Sequence, residues 1–161
     1  MLLAAETIGL CLVFWLICWM GTGTDEKNLR SFRSYPPKVQ EMLRADPRFQ
    51  GKIPQDKPGT VFVSNVLTFS VILFLLGLPL RQGTFWRNFL NILIMGEVLN
   101  AFDYLVMDLL WFRKTKRTRF VGTKDRADLY EDPVNHRGAF YRGIPAFFSA
   151  AVVDGLLLSL F

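Results

Sequence analysis

The apolar residues of this chain fall into four blocks, and polar, charged segments separate the blocks. Each block has about 19 residues or more, which is the length that an α-helix needs to cross a hydrocarbon core of ~30 Å. The pattern therefore predicts an all-α, polytopic membrane protein with four transmembrane helices in a single domain. We place the spans at about 2–20, 61–80, 88–112 and 143–161.

The charged residues lie mainly in two long segments, 21–60 and 113–142. These segments hold eight and nine Lys/Arg, whereas the short loop 81–87 holds two. Basic segments of multi-pass proteins stay on the cytoplasmic side. We therefore expect a plasma-membrane protein with both segments in the cytoplasm and both termini outside. The net charge of +5 is then explained by topology, and we expect no nucleic-acid partner.

The third span carries polar residues on one side only. On a helical wheel of about 100° per residue, one arc roughly 140° wide collects its acids and amide, and the opposite arc is entirely apolar. An exposed carboxylate inside a membrane costs several kcal/mol. This face therefore needs protein, water or a ligand as its partner. The arc comprises Gly96, Glu97, Asn100, Asp103, Tyr104, Met107, Asp108 and Trp111.

Small residues and one acid share a narrow face of the fourth span, where they allow close helix packing. A rise of about 1.5 Å per residue places Asp154 at the depth of Ala101, beside Asn100 and Asp103. These acids could line a proton or cation path, or be hydrogen-bonded packing residues, with Asp108 paired to a nearby base. The small-residue face comprises Gly143, Ala146, Ala150 and Asp154. The candidate ligand- or ion-binding residues are Glu97, Asn100, Asp103, Tyr104, Asp108 and Asp154.

A basic run, RKTKRTR, follows the third span directly. Such a run is typical of the cytoplasmic end of a span, and it can also contact anionic lipid headgroups. His136 is the sole histidine, and Pro133 predicts a turn between it and Asp132. We expect no metal and no cofactor from a single histidine with carboxylates. The candidate headgroup contacts are Arg113, Lys114, Lys116, Arg117, Arg119 and His136.

Shorter patterns predict local structure. Prolines before and after KVQEMLRA predict a short helix with Val39, Met42 and Leu43 on one face, lying on the membrane, capping the bundle or docking a partner. The short loop 81–87 predicts an antiparallel hairpin of the second and third spans. Asn65 and Thr68 lie on one face of the second span, where they can hydrogen-bond a neighbouring helix.

Three stretches carry a resemblance to a known group of proteins. They are SYPPKVQ after the first span, NAFDYLVMDLLWFRKTKR at the third and YEDPVNHRGAFYRG before the fourth. Together they resemble a group of small bacterial integral membrane proteins with four spans, some of which are labelled permeases. The resemblance covers most of the chain in pattern. It implies a bacterial plasma-membrane setting, and it assigns no activity and no catalytic residue.

These observations favour three functions, in this order. The first is a small transporter or permease-like component of an oligomer or larger complex, because four helices seldom enclose a path alone. The second is a non-catalytic membrane subunit that docks a cytoplasmic partner. The third is a membrane enzyme that acts on lipid headgroups at the cytoplasmic face through Asp108, His136 and the nearby bases. The sequence has no nucleophile–base spacing and no Gly-rich phosphate loop, so we assign no catalytic residue. The expected partners are membrane lipids and a second copy or another membrane protein.

Overall fold

A computed structural model describes residues 1–55 and 58–160 of the chain, and the described residues form helices and no strand. The predicted all-α class is therefore confirmed. A π-helical segment, Asp103–Phe112, follows the fifth α-helix directly, and short 3₁₀ turns lie between several of the others. The α-helices are α1 (Leu2–Met20), α2 (Asp25–Arg30), α3 (Pro37–Ala45), α4 (Pro58–Gly77), α5 (Phe85–Phe102) and α6 (Val134–Ser159).

The described residues contain four helical stretches that are long and apolar enough to cross a membrane. Their positions match the four apolar blocks of the sequence. Large apolar side chains such as Leu12, Leu67 and Val71 are more than half exposed along them. In water such surfaces would associate, whereas lipid tails cover them at no cost. The stretches are Leu2–Met20, Gly59–Leu80, Phe85–Phe112 and Ala127–Ser159.

The last helix begins earlier than the sequence predicts. α6 starts at Val134, nine residues before the predicted start of the fourth span at Gly143. Pro133 directly precedes the helix, and the Asp132 carboxylate accepts a hydrogen bond from the Val134 N–H at 3.0 Å. Proline and aspartate are common at helix N-termini. The position where the sequence predicted a turn is therefore the N-terminus of α6. His136 consequently lies in the first turn of a helix and not in a loop.

The third span changes its helical type partway along. Asp103–Phe112 is π-helical, with hydrogen bonds between residues five apart instead of four. The wheel of about 100° per residue therefore applies to α5 and is wrong beyond Phe102. Asp103 and Asp108 are five residues apart, so the π segment brings them closer to one face than an α-helix would. Short π segments occur frequently at functional sites.

The chain divides into two compact units. Within the described residues, the first unit takes Met1–Leu12, 58–102 and 140–160, and the second takes Val13–Gln55 and Asp103–Ala139. The single domain expected for the whole chain stays a prediction.

In the first unit, small residues set the spacing of α4, α5 and α6. A Cβ added to Gly96 would lie 2.7 Å from the Phe147 ring, and one added to Gly155 would lie 3.0 Å from the Phe89 Cα. Ala150 is fully buried, as the predicted small-residue face of the fourth span requires. Close approach of this kind is what small residues allow in membrane helices.

The predicted hairpin of the second and third spans is confirmed in this unit. α4 packs against α5, and a turn that begins with the 3₁₀ segment Leu78–Leu80 joins them. The Asn88 side chain closes the turn, because it accepts from the Gln82 N–H at 2.7 Å and donates to the Gln82 carbonyl at 2.8 Å.

The second unit has its own aromatic core with Tyr35 at the centre. Tyr35 is completely buried, with the rings of Phe112 and Phe120 each 5.1 Å away. Its hydroxyl donates to the Thr118 carbonyl at 2.7 Å. Burying an aromatic side chain fully contributes about 1.5–3 kcal/mol. The core comprises Leu29, Phe32, Tyr35, Val39, Leu43, Phe49, Phe112, Phe120 and Tyr130.

The predicted short helix is α3, and its apolar face belongs largely to this core. Val39 and Leu43 are buried, while Met42 is 43% exposed. Two of the three residues on that face are therefore committed to the second unit itself, which leaves little apolar surface on α3 for a membrane or a partner.

Candidate functional site

The most deeply buried acid of the first unit is Asp154 on α6, which is 1% exposed. Its Oδ1 accepts a hydrogen bond from the Ser70 hydroxyl of α4 at 2.6 Å. Its Oδ2 is buried and has no hydrogen-bond partner among the described residues. No cationic side chain of the described chain forms an ion pair with it. A charge in this position is costly unless a proton or a cation compensates it.

The sequence places Asp154 in this position through its small neighbours. Ala150 lies one turn before it on α6 and is fully buried, and Gly155 follows it against the backbone of Phe89. Because these residues let α6 lie close to its neighbours, the carboxylate is sealed from the surroundings. Ser70 was not among the predicted site residues. A serine within an apolar span was the only signal for it.

The register between α5 and α6 differs from the predicted one. Asp154 was expected at the depth of Ala101, but Gly155 contacts Phe89 instead, so Asp154 lies about 12 residues nearer the start of α5 than predicted. The expected placement of Asn100 beside Asp154 is therefore wrong. The reason is that the register follows the close contacts at small residues and not equal distances from the ends of the spans.

Asn100 contacts α6 at Phe140, the first residue of that helix in the first unit. It is 6% exposed, and its amide donates to the Phe140 carbonyl at 3.2 Å and to the Glu97 carboxylate at 3.3 Å. Gly143 lies so close to this amide that a Cβ there would overlap it. Glu97 and Asn100 therefore share one face of α5, as the helical wheel predicted, and the Asn100 amide also joins α5 to α6.

The acids of the π segment belong to the second unit. Asp103 is partly buried and makes no hydrogen bond or ion pair with the described residues, and the neighbouring Tyr104 is partly buried as well. Whether either residue binds a ligand stays a prediction.

Asp108 makes a short and largely buried contact with His136. The His136 Nδ1 lies 2.7 Å from the Asp108 Oδ1, and their side chains are 4% and 15% exposed. The Phe112 ring packs edge-on against the imidazole at 4.7 Å. Asn135 fixes this turn of α6 by donating to the Tyr35 carbonyl at 2.5 Å. The sequence predicted a nearby base as the partner of Asp108, and the base that lies against it is His136.

Among the described residues, this pair leaves one imidazole nitrogen without a hydrogen-bond partner. A carboxylate at Nδ1 fixes the orientation and tautomer of a histidine, as it does for metal-ligating and general-base histidines. Here the Nε2 of His136 is buried with no hydrogen-bond partner among the described residues. An imidazole buried in this way offers almost no surface to a lipid headgroup. The observed contacts of the pair therefore support a structural role within the second unit.

Much of the basic run after the third span is engaged within the second unit. Arg117 lies over the Trp19 ring at 4.3 Å and donates to the Trp19 carbonyl, while Lys116 pairs with Asp125 at 2.5 Å. Arg119 is 6% exposed and donates to two backbone carbonyls, those of Lys124 and Arg113.

The residues predicted to contact headgroups differ in exposure. Lys114 is exposed and Arg113 is partly buried, whereas Arg119 and His136 are buried. The predicted headgroup contact is therefore open to Lys114 more than to the buried members, and it stays a prediction.

No protein-family model, no curated protein and no solved structure matches this chain. The resemblance to small bacterial four-span proteins accordingly stays a prediction. Among the described residues of the candidate spans, Asp154 combines an almost fully buried side chain with a carboxylate oxygen that has no hydrogen-bond partner.

Proposed function

We propose that the protein is a small transporter-like membrane component that binds a proton or a small cation at Asp154. The observation that carries this proposal is the sealed carboxylate, with Oδ1 bonded to Ser70 and Oδ2 unpartnered among the described residues. A carboxylate that only stabilises a fold is usually satisfied by several donors. Among the described residues Asp154 has one donor, and this leaves an oxygen for a proton or a cation.

The surface of α4 supports the expected oligomer. Ser64, Asn65 and Thr68 are exposed on this candidate span and make no hydrogen bond with the described residues. Asn65 lies about 10 Å along the helix from Pro58, which puts its amide within the hydrocarbon. Unsatisfied polar groups in hydrocarbon cost several kcal/mol each. The proposed neighbour is a second copy, because an asparagine amide both donates and accepts and can pair with its own image across a two-fold axis.

Cysteine cross-linking tests this neighbour. In a variant with Cys11 and Cys18 replaced by alanine, Asn65→Cys should form a disulfide-linked dimer in membranes, while Leu67→Cys, exposed on another face of α4, should not. Equal cross-linking at both positions would point to random collision and would remove the support for a specific dimer.

Thermal unfolding in detergent tests the Asp154 site. A cation present at about 100 times its Kd stabilises the protein by about 2.7 kcal/mol. For a chain of this size that raises the melting temperature by about 5–11 °C. Asp154→Asn should remove the response and Ser70→Ala should weaken it, whereas Asp125→Asn, at an exposed carboxylate, should leave it unchanged.

Repeating the unfolding measurement from about pH 5 to about pH 9 tests whether Asp154 binds a proton. The proton and cation site is refuted if wild type and Asp154→Asn respond identically to pH and to each monovalent and divalent cation tried.

A second candidate function is a subunit that docks a cytoplasmic partner. The observation in its favour is that the two polar segments fold around a core of their own instead of forming loose loops. This candidate predicts no ion response at Asp154, so the unfolding experiment separates the two. Both candidates share the proposed plasma-membrane topology with cytoplasmic basic segments.

A further inference from the structure

The second unit carries a surface cavity that none of the predicted site residues lines. Its volume is about 600 Å³, and it lies between the 3₁₀ turn Phe32–Ser34, α3 and the following loop up to Gln55. This volume falls within the range of small-molecule sites, roughly 300–1,000 Å³. The residues that define its chemistry are Phe32, Arg33, Gln40, Arg44, Gln50 and Ile53.

The cavity combines two arginines with no described acid. Neither Arg33 nor Arg44 forms an ion pair with the described residues, and none of the described lining residues is acidic. Two other surface arginines of this unit are neutralised, because Arg48 pairs with Asp46 at 2.6 Å and Arg126 with Asp128 at 2.7 Å. Two guanidinium groups without an ion pair among the described residues, placed around one concave surface, favour an anion.

A smaller cavity beside the first is also lined by basic residues. It has a volume of about 260 Å³, and Arg30, Lys52 and Glu26 contribute to its lining. Pro54 lines both cavities, so the two are neighbours. Two bases against one acid leave the smaller cavity with a net positive charge as well.

The framework of the larger cavity is held in place. The Gln40 amide donates to the Tyr35 carbonyl at 2.8 Å and to the Arg33 carbonyl at 3.3 Å, which fixes the start of α3 against the 3₁₀ turn. Phe32 is 4% exposed and belongs to the aromatic core. The Arg44 guanidinium lies 5.2 Å from the centre of the Phe32 ring, so one arginine is already oriented over an apolar wall.

We propose that this cavity binds a phosphate-bearing ligand of headgroup size. Arg33 and Arg44 contact the phosphate oxygens, for which the planar guanidinium offers paired N–H donors. The Gln50 amide lies at the same cavity and is available to hydroxyl groups of the ligand, while the Ile53 side chain packs against the uncharged part of the ligand. The ligand is either a soluble phosphate ester or the headgroup of an anionic lipid. The site is separate from Asp154 and does not depend on it.

Binding measurements on the full chain in nanodiscs test the proposal. In the soluble arm, glycerol phosphate and inorganic phosphate are titrated by calorimetry into protein held in phosphatidylcholine nanodiscs. In the lipid arm, fluorescence titration measures binding of a labelled phosphatidylglycerol. Arg33→Gln and Arg44→Gln should each weaken binding by about 10-fold or more, as expected for the loss of a charge-assisted contact.

Two control variants remove the same charge elsewhere in this unit. Arg48→Gln and Arg126→Gln should leave the affinity within about 2-fold, because both arginines already pair with an aspartate. Arginine-dependent binding of glycerol phosphate identifies a soluble ester as the ligand, and arginine-dependent binding of the lipid alone identifies a headgroup. The proposal is overturned if neither probe binds, or if the control variants weaken binding as much as Arg33→Gln and Arg44→Gln.

Discussion

Removing one member of the Asp108–His136 pair should destabilise the second unit strongly. The two side chains are 15% and 4% exposed and the Asp108 Oδ1 lies 2.7 Å from the His136 Nδ1, so either residue alone would be a largely buried polar group without its partner. Breaking a buried pair in this way costs about 3–5 kcal/mol. Asp108→Ala and His136→Ala should therefore each lower the melting temperature by roughly 6–20 °C, at about 2–4 °C per kcal/mol for a chain of this size.

The double variant distinguishes the energy of the Asp108–His136 contact from the contributions that each side chain makes on its own. Asp108→Ala with His136→Ala removes both groups at once, so no unpaired partner remains. Its cost should be close to that of either single variant and well below their sum, which is the signature of direct coupling. Thermal unfolding in detergent, followed by tryptophan fluorescence and circular dichroism, is measured for wild type, both single variants and the double variant, which together form a double-mutant cycle.

The exposed pair Asp46–Arg48 supplies the matched control. Its contact distance of 2.6 Å is similar, but the Arg48 side chain is 56% exposed. The Arg48 guanidinium lowers the pKa of Asp46, and solvent screens the pair, so its cycle should show no resolvable coupling. The account of the buried pair is refuted if the Asp108–His136 costs simply add, or if both pairs show the same coupling.

Three further predictions follow from single contacts and from the charge pattern. Tyr35→Phe removes the hydroxyl that donates to Thr118 and should cost about 1–3 kcal/mol, while Tyr141→Phe at a 63% exposed ring should cost almost nothing. Burial raises the pKa of Tyr35, so the stability gained from its neutral form is complete below about pH 10 and is lost as the pH rises further; the wild type should therefore lose its advantage over Tyr35→Phe in alkaline melts. Gly155→Ala forces a Cβ to 3.0 Å from the Phe89 backbone and should cost about 1–3 kcal/mol in thermal melts, whereas Gly9→Ala, with open space around it, should be neutral or stabilising. A reporter that is active only in the cytoplasm should be silent when fused after Phe161 and active when inserted after Lys124, and the opposite result would reverse the proposed topology.

The helices were largely predictable because the membrane imposes a simple pattern. Four apolar blocks of sufficient length correspond to four candidate spans, and prolines bracket α3 where the sequence predicts it. The small residues of the fourth span also predicted which face of α6 is buried, as Ala146 and Ala150 show. These features depend on residues close together in the chain, so sequence periodicity records them.

The site was less predictable because its contacts join distant residues. Ser70 and Asp154 are 84 residues apart, and no local pattern links them. His136 and Asp108 were both identified, but their pairing depends on the early start of α6 at Val134. The π segment likewise leaves no mark in the apolar pattern, because it changes hydrogen bonding and not residue type. The α-helical wheel was therefore applied to residues that do not follow it.

Ion flux in reconstituted vesicles tests the transport proposal most directly. Wild-type protein, Asp154→Asn and the control Asp125→Asn are placed in liposomes of one composition, and proton and cation movement is followed with internal fluorescent dyes under an imposed gradient. The account predicts flux above that of empty vesicles for wild type and Asp125→Asn, and a return to the empty-vesicle rate for Asp154→Asn. Equal flux with Asp154→Asn and wild type, or no flux above empty vesicles for any ion tried, would contradict it.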